Sequence, residues 1–251
     1  MSDSRVFLVT GPTGAMGGTV ATTLAASGHR LVLAARNETK LKEIADLVSP
    51  ADQVATVVAD TSEPLQARRA VSETLDRFGR IDGLIHLVGG FHVGPVVLTD
   101  LDAYLRMFQA NMLSAVSATQ AVLPQLDNGG HLIYLSSVLA SEPFPGFGAY
   151  AASKAALQAW AKSLAHEVKG RGVHAHTVVM TMADTEEARA QRPHVNFEHA
   201  TKPKAVADVI DFLVSPAADG MYGASVPVLG KFEFSTALMA GPPGAPQLNR
   251  L

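Results

Sequence analysis

Tyr150 and Lys154 stand four residues apart in the stretch "YLSSVLASEPFPGFGAYAASKAALQAW", with Ser136 and Ser137 upstream. On a helix that spacing puts a phenol and an ammonium on one face. The serines close an apolar run that reads as a strand. In an open α/β sheet the carboxyl ends of strands border the ligand crevice, so tyrosine, lysine and serine converge where a nicotinamide would lie. Near the N-terminus, "TGPTGAMGG" (Thr10 to Gly18) follows another short apolar run. Gly11 permits a sharp turn, Gly14 lets backbone approach a pyrophosphate, and Gly17 lets the next helix pack closely, its first amides facing the anion. Thr13 and Met16 in this turn join the three glycines as cofactor-binding candidates. A tight turn with no ligand is the alternative.

The end of the next apolar run helps choose the cofactor. Binders of NAD usually carry an acid there, on the ribose hydroxyls. Here "VLAARNE" places Ala34 and Ala35 where an acid would stand, with Arg36 directly after. Arginine pairs with a 2'-phosphate, whereas aspartate would repel it, so NADP(H) is favoured over NAD(H). The alternative for Arg36 is a solvated charge at a helix start. In "VVADTSEP", Asp60 and Thr61 are further cofactor-side candidates; Asp60 either accepts a hydrogen bond from an adenine amino group or caps the helix expected near Ser62.

These groups need a scaffold, and the chain alternates accordingly. Short runs ("RVFLV", "RLVLAA", "QVATVV", "GLIHLV", "GHLIYL", "GVHAHTVV") are separated by amphipathic lengths spanning 15–27, 38–48, 64–78, 101–123 and 149–169. Continuous apolar runs read as strands buried on both faces, and the helical lengths supply right-handed crossovers. The expectation is α/β: a Rossmann-like doubly wound parallel β-sheet with helices on both faces, one domain over residues 1–251. Only "AGPPGAPQLNRL" is irregular, and residues 238–251 are read as a tail.

Composition narrows the partners. The 251 residues carry a net charge of -3 with no basic stripe, which argues against nucleic acid and against a polybasic membrane contact. There is no cysteine, hence no disulfide and no thiolate chemistry. No leader and no run of about 18 apolar residues is seen, so a cytoplasmic location is expected. His174 and His176 lie two apart on a strand, but no third ligand has recognisable spacing, and no metal is expected.

The glycine loop, Asn111 in "FQANMLSAV", Ser137 with Tyr150 thirteen residues on, and "YAASK" occur in an order that resembles the short-chain dehydrogenase/reductase family from Arg5 to about Gly230. The resemblance implies an NAD(P)-dependent oxidoreductase moving a hydride between the nicotinamide and a carbonyl or alcohol. Tyr150 would be its general acid or base. A free tyrosine, with a pKa of about 10, needs a neighbouring cation that favours the phenolate. Lys154 would supply that cation and bind the nicotinamide ribose. Ser137, rather than neighbouring Ser136, would hold the substrate oxygen, and Asn111 would keep a water in a proton relay from Lys154. Thr185 would contact the carboxamide, and residues 185–202 would form a lid.

The chain also departs from that pattern. Its TGxxGxxG spacing differs from the TGxxxGxG of the main single-domain branch and resembles branches that include non-catalytic regulators. A dinucleotide-binding regulator or scaffold is therefore the second hypothesis. At the fourth strand His86, Leu87 and Val88 replace the first three residues of the family's NNAG, and Gly89 keeps the last, on the cofactor side. His86 is read as a satisfied structural histidine. Met180-Thr181 replaces the Pro-Gly after the sixth strand. The small residues Ala151, Ala152, Ala155, Ala156, Ala159 and Ala165, beside Trp160, suggest close helix packing across a two-fold axis in a homodimer or homotetramer.

Overall fold

The computed structural model describes residues 4–48, 50–126 and 129–231; the tail expected at 238–251 lies outside them. Seven strands form one sheet in the order β3-β2-β1-β4-β5-β6-β7. They are β1 (Val6–Thr10), β2 (Arg30–Ala35), β3 (Val54–Val58), β4 (Gly83–His86), β5 (His131–Ser137), β6 (His174–Met180) and β7 (Ser225–Val228). Every pairing is parallel. The chain order reverses between β1 and β4, and such a switch point opens a crevice at the strands' carboxyl ends.

Side-chain alternation along the strands divides the core. Leu8, Val32, Leu84 and Leu132 face a layer built from α3 (Pro64–Phe78), α5 (Ser114–Val122) and α6 (Gly148–Val168). Phe7, Val9, Leu33 and Ile133 face α1 (Gly17–Ala26), α2 (Glu38–Asp46) and α8 (Pro203–Leu213). Both faces are covered, as an all-parallel sheet requires. Edge strand β3 is the exception, with Thr56 and Val58 exposed.

Two elements depart from expectation. First, the helix expected over 101–123 is interrupted. It runs as α4 (Leu101–Phe108), a π-helical turn (Gln109–Leu113) and α5. No glycine or proline announces this turn; it is centred on Asn111, which is fully buried and bonded to the loop after β4. Second, β7 was not anticipated: it is short, contains Pro227 and lies half-buried at an edge, where proline is tolerated. The β6 histidines, expected to explain themselves by strand alternation, fasten this edge. The Ala224 amide donates to His176 Nδ1 (3.1 Å), and His174 Nδ1 meets the Met221 carbonyl (3.0 Å). His174 also stacks between His131 and Tyr222. Among the described residues no cluster of three or more His, Asp or Glu is placed to hold a metal, and no helix is long and apolar enough to cross a membrane.

Candidate active site

Two neighbouring cavities open at the carboxyl end of the sheet. The first, of about 390 Å³, is lined by Gly11, Thr13 and Gly14 of the opening loop, by Ala35 and Arg36 after β2, by Asp60 and Thr61 after β3, and by Val88 and Gly89 after β4. The loop glycines differ in why they are glycine. Gly11 has φ +71°, and a Cβ there would lie 2.7 Å from the Val88 amide nitrogen. Gly17 is required by backbone too, since its Cβ would fall 1.8 Å from the Pro12 carbonyl oxygen; it clears the loop, whereas helix-to-sheet packing was expected. Gly14 has neither reason. Its φ is not positive and a Cβ would meet nothing nearer than the Gly11 carbonyl at 3.5 Å. The missing side chain therefore leaves an open cradle facing the cavity. Behind it α1 begins without a side-chain cap and without an acidic residue in its first turn, which leaves its positive end to an outside anion. This donor set fits a dinucleotide pyrophosphate. Met16 is buried beneath the loop as the residue preceding α1 and lines neither cavity.

At the far end of this cavity Arg36 reaches Asp60 at 3.6 Å, with 80% of its side chain exposed. Asp60 also accepts from the Ser62 amide (3.0 Å) and hydroxyl (2.6 Å), so it closes the turn ahead of α3. That helix runs over Pro64–Phe78, the bounds of the amphipathic length read from the sequence.

The second cavity, of about 590 Å³, holds Tyr150 and Ser137 on one wall. The register of β5 and the start of α6 settle which serine faces it. Ser136 accepts from Gln158 Nε2 at 3.0 Å, whereas Ser137 bonds to the Tyr150 phenol and accepts from the Leu139 amide at 3.2 Å. Burial pushes the phenol above its ordinary value, and the Ser137 bond partly opposes this. Lys154 Nζ is directed at the Leu135 carbonyl (2.9 Å), and burial pushes its ammonium down to about 8. The bond to Leu135 takes one of the three ammonium protons, and the phenol's own side-chain hydrogen bond is to Ser137 rather than to Lys154.

Asn111 locks the two halves together. Its side-chain oxygen accepts from the Gly90 amide (2.9 Å), and its nitrogen donates to the Gly90 carbonyl (3.1 Å) and to Ser153 Oγ (2.9 Å). A Cβ on Gly89 would stand 2.8 Å from Asn111 Oδ1 and 3.3 Å from Lys154 Nζ, so only glycine lets the β4 loop lie against both. His86 completes the support. Ser114 directs its proton to the Ala110 carbonyl (2.6 Å) and therefore accepts from His86 Nε2 (3.1 Å), leaving Nδ1 to accept from Thr10 Oγ1 (2.8 Å). Burial, helped by Lys154, lowers this imidazole to about 3 and keeps it neutral. It is a structural bridge between β1 and α5, as read from the sequence.

Thr185 is placed elsewhere. Its hydroxyl accepts from the Ala188 amide (3.1 Å) as the cap of α7 (Glu186–Gln191), and it lines neither cavity. Thr181, in the position that departs from Pro-Gly, lines the Tyr150 cavity and bonds to Thr201 Oγ1 at 2.7 Å. Sequence reading also missed the aromatic wall of Phe91, Phe144 and Phe147, together with Met182 and Arg192. The only local signal was the density of aromatics in "EPFPGFGAY". Arg106, Gln109 and Ser114, on the inner face of the interrupted helix, were missed on the dinucleotide side.

Known proteins resemble this chain in sequence and fold. Residues 5–196 match the family model described as short chain dehydrogenase. A protein named sulfoacetaldehyde reductase 2, from Chromohalobacter salexigens, is 33% identical over 73% of this chain and 74% of its own. An uncharacterized oxidoreductase of Methylorubrum extorquens is 30% identical over 88% and 94%. Among solved structures, a short chain dehydrogenase from Burkholderia cenocepacia in complex with NADP superposes with a TM-score of 0.80 at 28% identity, covering 90% of this chain and 96% of that one. Glycine cradle, Ser137, Tyr150 and Lys154 in family order, the sheet topology and these relatives agree: the chain belongs to the short-chain dehydrogenase/reductase family of oxidoreductases.

Proposed function

We propose that this protein is an NADP(H)-dependent reductase or dehydrogenase of small carbonyl or alcohol compounds, with Tyr150 handling the proton. The bound nicotinamide supplies or accepts the hydride. The chain's own residues do the rest. Gly11, Thr13 and Gly14 hold the pyrophosphate; Arg36 reads the 2'-phosphate; Ser137 donates a hydrogen bond to the substrate oxygen and fixes it beside the phenol. In reduction Tyr150 gives its proton to the carbonyl oxygen as the carbon takes the hydride; in oxidation it takes the alcohol proton back. Lys154, with its ammonium near 8, sits where proton exchange at neutral pH is accessible and would offset the charge of a phenolate. Asn111 acts here as a positioning residue, since its side-chain groups are bonded to Gly90 and Ser153.

The observation that carries this reading is that one loop serves both cavities: Gly14 lines the first, Ala15 the second, where Tyr150 and Ser137 face each other. NADP(H) is favoured because the Arg36–Asp60 pair is exposed, and exposed pairs hold little energy, about 0.2–1 kcal/mol. The guanidinium is therefore easily drawn to a phosphate. The relative named as a sulfoacetaldehyde reductase and the neighbour holding NADP support the same assignment.

The test is Tyr150→Phe in an NADPH oxidation assay with a panel of carbonyl compounds. Turnover should fall at least about 100-fold, the range of a lost general acid, with NADPH affinity retained. Comparable turnover in the variant overturns the mechanism. Tight NADPH binding by the unaltered protein with no substrate-dependent oxidation would favour the regulator instead.

A further inference from the structure

The wall of the Tyr150 cavity is mostly apolar and aromatic, with the hydroxyls of Ser137, Tyr150 and Thr181 and one charged group. Among its described lining residues Arg192 alone carries charge, and no carboxylate faces it. Arg192 is half-buried at the end of α7, in the segment expected to cover the substrate. The other lid arginine, Arg189, is neutralised by a two-point pair with Asp184 (2.6 and 3.0 Å). Arg192 has no such partner among the described residues. Its guanidinium touches only weak acceptors: the Met182 sulfur at 3.3 Å and the face of Phe91, with its central carbon 5.5 Å from the ring centre. A guanidinium presents five donors in a rigid fork suited to carboxylate, and neither a thioether nor a ring face satisfies it.

Phe91 links this cation to the reacting end. Its ring lies 5.0 Å from that of Tyr150, in edge contact. The two steps together put the guanidinium carbon within about 10.5 Å of the centre of the phenol ring. A small molecule of aromatic width can span that gap inside a cavity of about 590 Å³.

We infer that Arg192 is a specificity-determining residue, and that the substrate class is a carbonyl compound, or the matching alcohol, bearing an oxyanion such as a carboxylate at its far end. The carbonyl lies against Tyr150 and Ser137, the apolar body against Phe91, Phe144 and Phe147, and the oxyanion on the Arg192 fork. The stacking of Arg192 on Phe91 pre-orients the fork and reduces the ordering that binding demands. This inference rests on the oxidoreductase reading of the same site for its carbonyl end, but not for its anion end.

The test compares 4-oxo-4-phenylbutanoate with its methyl ester, which differ in charge and keep the same ketone. KM is measured with NADPH, and Kd by calorimetry with NADP+ present, for the unaltered protein, Arg192→Leu and Arg192→Lys. A hydrogen-bonded charge pair supports about a 10- to 150-fold preference for the acid over the ester. Leu should bring that ratio to about one, and Lys, which keeps the charge without the fork, should retain part of it. A merely structural arginine would move acid and ester together and leave the ratio unchanged. Equal affinity for acid and ester in the unaltered protein, or an unaltered ratio in Arg192→Leu, overturns the inference. Acid binding that depends on Arg192 with neither compound reduced would uphold the anion site and sink the reductase reading. Tyr150-dependent reduction of the ester without preference for the acid would do the reverse.

Discussion

Gly14→Ala separates a cofactor cradle from an empty turn, because the structure gives this glycine no internal reason to be one. Its φ is not positive, and an added methyl would make an ordinary contact with the Gly11 carbonyl at 3.5 Å. Folding should tolerate the change. Reduced freedom of the unfolded chain favours alanine by about 0.4–1 kcal/mol wherever the native backbone accepts it, so the variant should be as stable as the parent or slightly more. Binding should suffer, since the methyl fills the cradle that Gly14 presents to the dinucleotide cavity. If it displaces the pyrophosphate from one charge-assisted hydrogen bond, about 1.5–3 kcal/mol is lost, which is about a 10- to 150-fold weaker Kd for NADPH. Gly17→Ala is the contrasting control. Its methyl would sit 1.8 Å from the Pro12 carbonyl oxygen and 2.3 Å from the carbonyl carbon, so backbone must move and stability should fall by more than about 1 kcal/mol. Urea unfolding reads the first quantity and NADPH fluorescence titration the second. Unchanged NADPH affinity in a stably folded Gly14→Ala would refute the cradle, and marked destabilisation would refute the open space assigned to it.

Other consequences can be checked in parallel. Arg36→Asp should lower the preference for NADPH over NADH at least about tenfold, because one phosphate pair becomes a repulsion; an unchanged ratio means that Arg36 does not read the 2'-phosphate. His86, His131 and His176 are all buried and held at about 3, 3 and 4, chiefly by burial, while the unfolded chain protonates them near 6.5. The unfolded state therefore binds more protons below that pH, and stability present above 6.5 is lost on acidification. Each histidine should remove about 1.6 kcal/mol between pH 6.5 and pH 5, before most carboxylates titrate. His176→Asn, which keeps an acceptor near the Ala224 amide, should shrink that loss by about one histidine's share in urea melts; an undiminished slope would show that His176 does not titrate as described. Finally, Val97 (85%) and Leu98 (81%) just before α4 and Leu101 (79%) at its start are exposed apolar side chains, and Ala152 and Ala159 are exposed on α6. Light scattering at micromolar protein should return a dimer or tetramer, and a monomer mass would refute the expected pairing.

What could be read along the chain was whatever depends on near neighbours in sequence. Apolar runs of strand length between amphipathic stretches implied the parallel sheet, and a spacing of four placed Tyr150 and Lys154 on one helical face. Gly11 and Gly14 stand in the first turn as the sequence implies, and His86 is the satisfied structural histidine read from it; that it is neutral and bridges β1 to α5 came from the structure. Weak local patterns were lost: β7, with Pro227 at a half-buried edge, and the π-helical turn at Asn111, which no breaker residue marks.

Tertiary structure alone decided the rest, because those answers depend on contacts between residues far apart in the chain. Ser137 was chosen over Ser136 from the sequence by spacing; its physical distinction is that Gln158, about twenty residues on, takes Ser136 while Tyr150 takes Ser137. Lys154 donates to the Leu135 carbonyl, a strand group 19 residues earlier in the chain. Thr185 is engaged by its own helix end, and Thr181 holds the cavity wall instead. Arg192 looked like one more charge in a polar segment. Only folding showed that Arg189 is paired with Asp184 and that Arg192 is left facing an aromatic cavity. Spacing specifies which groups share a face, whereas strand register and loop path specify what that face meets.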